Sequence, residues 1–163
     1  MTYFLQLLLS GVVVGLIYAL AALGFVLIYK ASRVVNFAQG QFIAIGAFLA
    51  YWALTALGAP FLLAAALALA LTALLGFGVE RIFLKRLVGQ PIISVIMVTI
   101  GLASFLDGIV HLTPYGAGNY SYPGFLPPGG VGFLGVIVSY AQLMAVFFTL
   151  GFLLLFSWFF QRS

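Results

Sequence analysis

Apolar residues run along this chain in blocks longer than any packing stripe, and the polar side chains that interrupt them are few enough to place individually. A membrane-crossing helix needs about 20 apolar residues, because the hydrocarbon core is about 30 Å thick and the helix rises about 1.5 Å per residue. The first block, 4–29, meets that length with Gln6 and Ser10 near its start. A short polar island, KASRVVNFAQGQF at 30–42, comes next. Residues 34–79 then carry no charged side chain, too long a run for one crossing. Gly58-Ala59-Pro60 divides it, since glycine supplies turn conformations and proline lacks the amide a continuing helix would use, giving spans at 37–57 and 61–79. ERIFLKRLVGQP, 80–91, reads as a basic loop with a turn of helix along the membrane surface. A span at 92–112 contains Asp107 and His111, and 113–132 is rich in Pro, Gly, Tyr, Asn and Ser, the composition of an external loop. A last span covers 133–160, before Gln161-Arg162-Ser163. The pattern predicts an all-α fold: a polytopic transmembrane helical bundle of about five spans in one domain over 1–163.

Composition agrees, with 66% hydrophobic and 5% charged residues against about a quarter charged in soluble domains. Lys and Arg near span ends collect on the cytoplasmic side. With five spans, Lys30, Arg33, Arg81, Lys85, Arg86 and Arg162, all six basic residues, fall on one side. That places the N-terminus outside and the C-terminus in the cytoplasm. Six scattered cations do not make a nucleic-acid stripe; their expected roles are topology and contact with anionic lipid or a cytoplasmic partner. The N-terminus lacks the basic n-region of a secretory signal and reads as a retained first span. With no cysteine, one His and two acids, Glu80 and Asp107, neither a metal site nor catalysis is expected.

The polar side chains left over are candidates for a translocation path. Ser104, Asp107 and His111 share one face of the 92–112 span; they line the outer part of a path or simply reach headgroup water. Asn36, Gln39 and Gln41 straddle the start of the 37–57 span. Asn36 suits an N-cap, and the three together suit the mouth of a broken helix whose amides complete a polar path. Glu80 and Arg81, with Lys85 and Arg86, read as a solvated membrane-edge cluster. Glu80 and Lys85, five apart, are poorly spaced for an α-helical ion pair. Small residues recur every four positions at Gly11, Gly15 and Ala19, at Gly40 and Ala44, and at Ala64, Ala68, Thr72 and Gly76, a spacing that lets helices approach closely in lipid. Asn119-Tyr120-Ser121 matches a glycosylation acceptor, a weak signal.

Two stretches carry a family resemblance. GLIYALAALGFVLIYKASRVVNFAQGQFIAIGAFLAY, 15–51, resembles the N-terminal region of branched-chain amino acid ABC-transporter permeases of the LivH type, including their Y-A-L-x-A-L-G run and R-V-x-N-F-A-x-G-x-F signature. ERIFLKRLVGQPIISVIMVTIGLASFL, 80–106, is similar to the same family's E-R-x-x-x-[KR]-x-L stretch and following T-I-G-L helix start. Gln39 stands where that family's N-F-A-H-G has histidine, keeping hydrogen bonding and losing a titratable group. The resemblance implies a multi-pass permease of the bacterial inner membrane. It also implies a second permease subunit, two cytoplasmic ATPase subunits that bind the ATP, a periplasmic substrate-binding protein, and no cofactor on this chain. The implied substrates are branched-chain or related hydrophobic amino acids. Urea permeases share much of the pattern, and a non-transporting scaffold or assembly fragment is the alternative of another class. Because the resemblance is to the N-terminal half of a longer permease, a truncated or split half is the expectation.

Overall fold

The computed structural model describes residues 2–113, 118, 129–133 and 136–162. Most of the expected external loop, with Asn119-Tyr120-Ser121, lies outside these described residues. The helices are α1 (Thr2–Ser32), α2 (Gln39–Thr55), α3 (Phe61–Val79), a one-turn α4 (Lys85–Leu87), α5 (Ile92–Leu112) and α6 (Tyr140–Arg162). A π-helical turn, Glu80–Leu84, joins α3 to α4, and a hairpin of β1 (Gly130–Phe133) and β2 (Val136–Ser139) precedes α6. Among the described residues, four helical stretches are long and apolar enough to cross a membrane: Thr2–Ser32, Phe61–Leu87, Ile92–Leu112 and Tyr140–Trp158. The chain is thus an all-α polytopic membrane protein with one small hairpin. α2 has 17 residues, a rise of about 25 Å, at the short edge of spanning lengths.

Two expected boundaries change. The basic segment is not a loop over 80–91, because helical backbone continues to Leu87. Its hydrogen bonding slips by one residue where the Lys85 amide donates to the Glu80 carbonyl, the i to i+5 pattern of a π turn. The segment stays helical because Leu84 and Leu87 have a place to pack: both are buried in a cluster with Val34 and Val95. The chain turns only after Leu87, where Gln90 donates to the Leu87 carbonyl at 3.1 Å and Gly89 takes φ +83°, a left-handed conformation costly for other residues.

The last helix starts at Tyr140 rather than 133. Residues 130–133 and 136–139 instead pair antiparallel, Gly130 opposite Ser139 and Phe133 opposite Val136. Short apolar runs do not separate helix from strand by periodicity, and here the helix start is fixed by a capping box. The Ser139 amide donates to Gln142 Oε1 at 3.0 Å, and the Gln142 amide donates to Ser139 Oγ at 3.2 Å.

The chain forms two units, residues 1–24 with 124–163, and residues 25–123. In the first, Gln142 Nε2 also reaches Ser10 Oγ at 3.5 Å, tying α6 to α1. A Cβ built at Gly11 or Gly15 would meet nothing within 4 Å, so the small-residue stripe of α1 packs against none of the described residues there.

The second unit holds the cores. α2 and α3 form a helical hairpin through Gly58, whose φ of +59° makes the turn. The α3 stripe is used: Ala64 and Ala68 are buried, and Gly46 of α2 lies so near Thr72 that a Cβ there would stand 3.3 Å from Thr72 Oγ1. Ala38, Ile45, Val79, Leu102 and Leu106 make the larger cluster. The polar island therefore supplies two core residues, Val34 to one cluster and Ala38 to the other, with Ala38 fully inaccessible.

Ala38→Leu overfills that contact and is expected to cost about 1–3 kcal/mol, lowering the melting temperature in detergent. Phe37→Ala, at an exposed neighbour, is expected to leave it within a degree or so, near the ±0.5 kcal/mol of ordinary surface changes. Equal melting shifts for the two would contradict the burial pattern of the island.

Candidate functional site

The island forms because α1 is stopped by local bonds. Ser32 Oγ donates to the Ile28 carbonyl at 2.8 Å and accepts the Val34 amide at 3.3 Å. Arg33 takes the left-handed conformation, φ +55°, while its amide reaches the Tyr29 carbonyl at 2.8 Å. Glycine usually fills such a helix end, so Arg33 carries a local backbone cost of about 1–2 kcal/mol.

Asn36 is 2% accessible. It is not the N-cap of α2: that position is Ala38, which has no side-chain bond. Asn36 Oδ1 accepts the Ala38 amide at 3.0 Å, and its carbonyl accepts the Gln39 amide at 3.3 Å. Two residues of reach make an Asx turn, which shapes the entry one step ahead of the helix. The Gln41 amide then starts the α2 ladder on the Ala38 carbonyl at 3.0 Å.

Beside this turn lies a cavity of about 890 Å³. Ile28, Phe42, Ile43 and Leu69 give it apolar walls, and small residues such as Gly46, Ala68 and Gly76 keep it open. Its polar members are Ser32, Asn36, Gln39, Thr72 and Glu80. Thr72 Oγ1 is buried with no hydrogen-bond partner among the described residues. A cavity of this size, largely apolar with a few converging polar groups, is the usual form of a small-molecule site.

Of the residues singled out in the sequence, Asn36 and Gln39 line the cavity. Gln41 is half-buried and does not line it, and neither do Ser104, Asp107 and His111 on α5. His111 and Asp107 pair with each other at 3.5 Å, and His111 Nδ1 lies 2.9 Å from the Asp107 carbonyl, which it meets as a donor. Their side chains are 61% and 49% exposed. Packing of Val34 against Leu84 and Leu87 brings Lys30 and Arg33 to the same end of the unit as Arg81, Lys85 and Arg86. The side chain of Arg162 lies outside the described residues.

Among the lining residues that are not path candidates from the sequence are Thr72, Gly76 and Glu80. Their signal was present as the four-residue stripe of α3. Carried one step further, 64, 68, 72, 76 leads to 80, where the polar side chain appears.

Long apolar helices around a cavity with a buried polar turn define the chain as a multi-pass membrane protein with a candidate small-molecule site. Comparison with known proteins sharpens that class: the chain belongs to the family described as branched-chain amino acid transport system / permease component, which matches residues 7–163. It is 31% identical over 166 aligned residues to the high-affinity branched-chain amino acid transport system permease protein BraD of Pseudomonas aeruginosa, covering 94% of this chain and 53% of that one. It is 30% identical over 119 residues to the corresponding LivH proteins of Salmonella typhimurium and Escherichia coli, covering 68% of this chain and 39% of theirs. The chain thus spans about half the length, or less, of these curated relatives. No solved structure matches it.

The natural sequence has no cysteine, so single thiols report directly on the cavity. Gly76→Cys, in the lining, is expected to react with a small methanethiosulfonate reagent at least about tenfold faster than Thr99→Cys, which replaces a fully buried side chain. Equal rates would mean that the cavity is not open to water.

Proposed function

We propose that this chain is a transmembrane permease component of a bacterial ABC importer for branched-chain or related hydrophobic amino acids. Family membership supports the transport role. The observation that carries it to a site is the cavity, where apolar walls suited to an aliphatic side chain adjoin the buried amides of Asn36 and Gln39.

In this reading the chain does no covalent chemistry and binds no nucleotide. It lies in the inner membrane and forms part of a path that opens alternately as two cytoplasmic ATPase subunits close and part, together with a second permease subunit and a periplasmic binding protein. ATP and the loaded binding protein act by shifting a conformational equilibrium, which requires that they favour one state over the other. The gathering of five basic side chains at one end of the 25–123 unit supports a cytoplasmic position for that end. In this reading the N-terminus is external and the C-terminus cytoplasmic.

The first test is uptake of labelled leucine against labelled urea in cells carrying the complete operon, with co-purification of ATPase subunits as the second readout. Leucine accumulation is expected. Accumulation of urea alone would transfer the chain to the urea permeases, and a solitary homo-oligomer with no uptake would make it a scaffold. Within a leucine-importing strain, Asn36→Leu is expected to reduce uptake by about tenfold or more, because it removes a buried amide that both shapes the turn and lines the cavity. Unimpaired uptake would reduce the island to a topology signal.

A further inference from the structure

Two glycines line the cavity, Gly46 and Gly76, and packing accounts for one of them. Gly46 of α2 stands against α3, where a Cβ would come within 3.3 Å of Thr72 Oγ1, so the approach of the two helices leaves little room for a side chain. Gly76 of α3 differs. A Cβ built there meets nothing within 4 Å, although Gly76 lies in helical backbone that runs on through the π turn to Leu87. Glycine in a helix interior is less stable than alanine, and no contact with the described residues calls for it here. The open space lies on the cavity side. Thr72 and Ala73, one turn earlier, and Glu80, one turn later, also line the cavity, which puts position 76 in the middle of the lining face. Helical side chains lean toward the N-terminus of their helix. A side chain at 76 would therefore lie over Thr72 and Ala73 and take up part of the cavity.

We infer that Gly76 is the size-selecting residue of this cavity: the space left by its missing side chain receives the branched aliphatic group of the ligand. The amides of Asn36 and Gln39 lie at the α1–α2 turn, whereas the stretch of α3 before Gly76 offers Ala65, Ala68, Leu69 and Ala73, an apolar strip suited to the alkyl part. Fit in such a strip is sharp, because one methylene more or less in an apolar pocket is worth roughly 10–200-fold in discrimination. Bulk added at 76 thus excludes large aliphatic groups first. A glycine acting as a hinge behaves otherwise, since any side chain there impairs it whatever the size of the ligand. The assignment deepens the transport reading of the cavity and rests on it for the choice of amino acids as ligands.

Equilibrium binding of labelled alanine, valine and leucine to the full-length chain in nanodiscs tests the inference. Gly76→Val is expected to weaken leucine by at least about tenfold and alanine by less than about threefold, with valine between them. Gly76→Ala has room for its methyl group and is expected to keep or raise the melting temperature while shifting the leucine-to-alanine ratio in the same direction, by less. Gly78→Val is the control, on the same helix, with nothing within 4 Å of its Cβ and off the cavity lining. It is expected to leave the ratio unchanged. An unaltered ratio in both Gly76 variants, an equal shift from Gly78→Val, equal loss of all three ligands in Gly76→Val, or no binding by the wild type would each overturn the assignment. Cellular uptake is read separately. A ratio altered by Gly76→Val in a chain that imports no leucine would overturn the import reading alone, and leucine import with an unaltered ratio would overturn this one alone.

Discussion

Between α1 and α2 the backbone must leave one helix and begin another where several of its residues are buried, and polar groups there need partners inside the protein. Ser32, Arg33 and Asn36 meet that constraint together. Ser32 serves both the end of α1 and the next amide, Arg33 accepts a left-handed backbone, and Asn36 supplies the turn that sets up α2. With the backbone satisfied, Val34 and Ala38 can be inserted into the two hydrophobic clusters. Those clusters join the island to α3, α4 and α5. The two sequence stretches that carry the family resemblance are thus brought against each other by two small apolar side chains from a segment that reads as polar.

The cavity follows from the same arrangement. Large residues at Gly46 or Ala68 would close it, and an ordinary α-helical turn after Val79 would alter the path of the chain leading to Leu84 and Leu87. Its polar groups come from three separate places, the end of α1, the island and one face of α3. The approach of α2 to α3 at Gly46 and Thr72 leaves the threonine hydroxyl buried, with no hydrogen-bond partner among the described residues. A group left in that state stands ready for a ligand or a water molecule to satisfy it.

Much of this was legible in the residues, and the failures have physical causes. α3 and α5 begin and end as the hydropathy and the Gly58-Pro60 break predict, because long apolar runs in lipid leave the backbone little alternative to helix. The 80–91 segment was misread because its charges are conspicuous, whereas the burial of Leu84 and Leu87 depends on a partner, Val34, some fifty positions earlier. The early part of the last run pairs as strands, since the apolar stretch at 133–139 is too short to declare its own conformation. Asn36 and Gln39 are legible as candidates for a polar path, and both line the cavity. Their neighbour Gln41 has the same chemistry and lies off it, which only the helix phase decides. Asp107 and His111, as visible in the sequence as the island, satisfy each other on the surface of α5.

The shortness of α2 has a consequence for the surrounding lipid. A rise of about 25 Å inside a hydrocarbon core of about 30 Å leaves about 5 Å unmatched, and α2 is flanked in sequence by a 27-residue helical stretch that has length to spare. Bilayers relieve such mismatch by thinning locally or by admitting headgroups and water around the short element. The Asx turn stands at one end of α2, so relief there would produce a dimple in the membrane surface directly above Asn36 and Gln39. Water would then reach the mouth of the cavity at a depth normally occupied by acyl chains, and lipid thickness itself becomes a variable that sets how wet that mouth is.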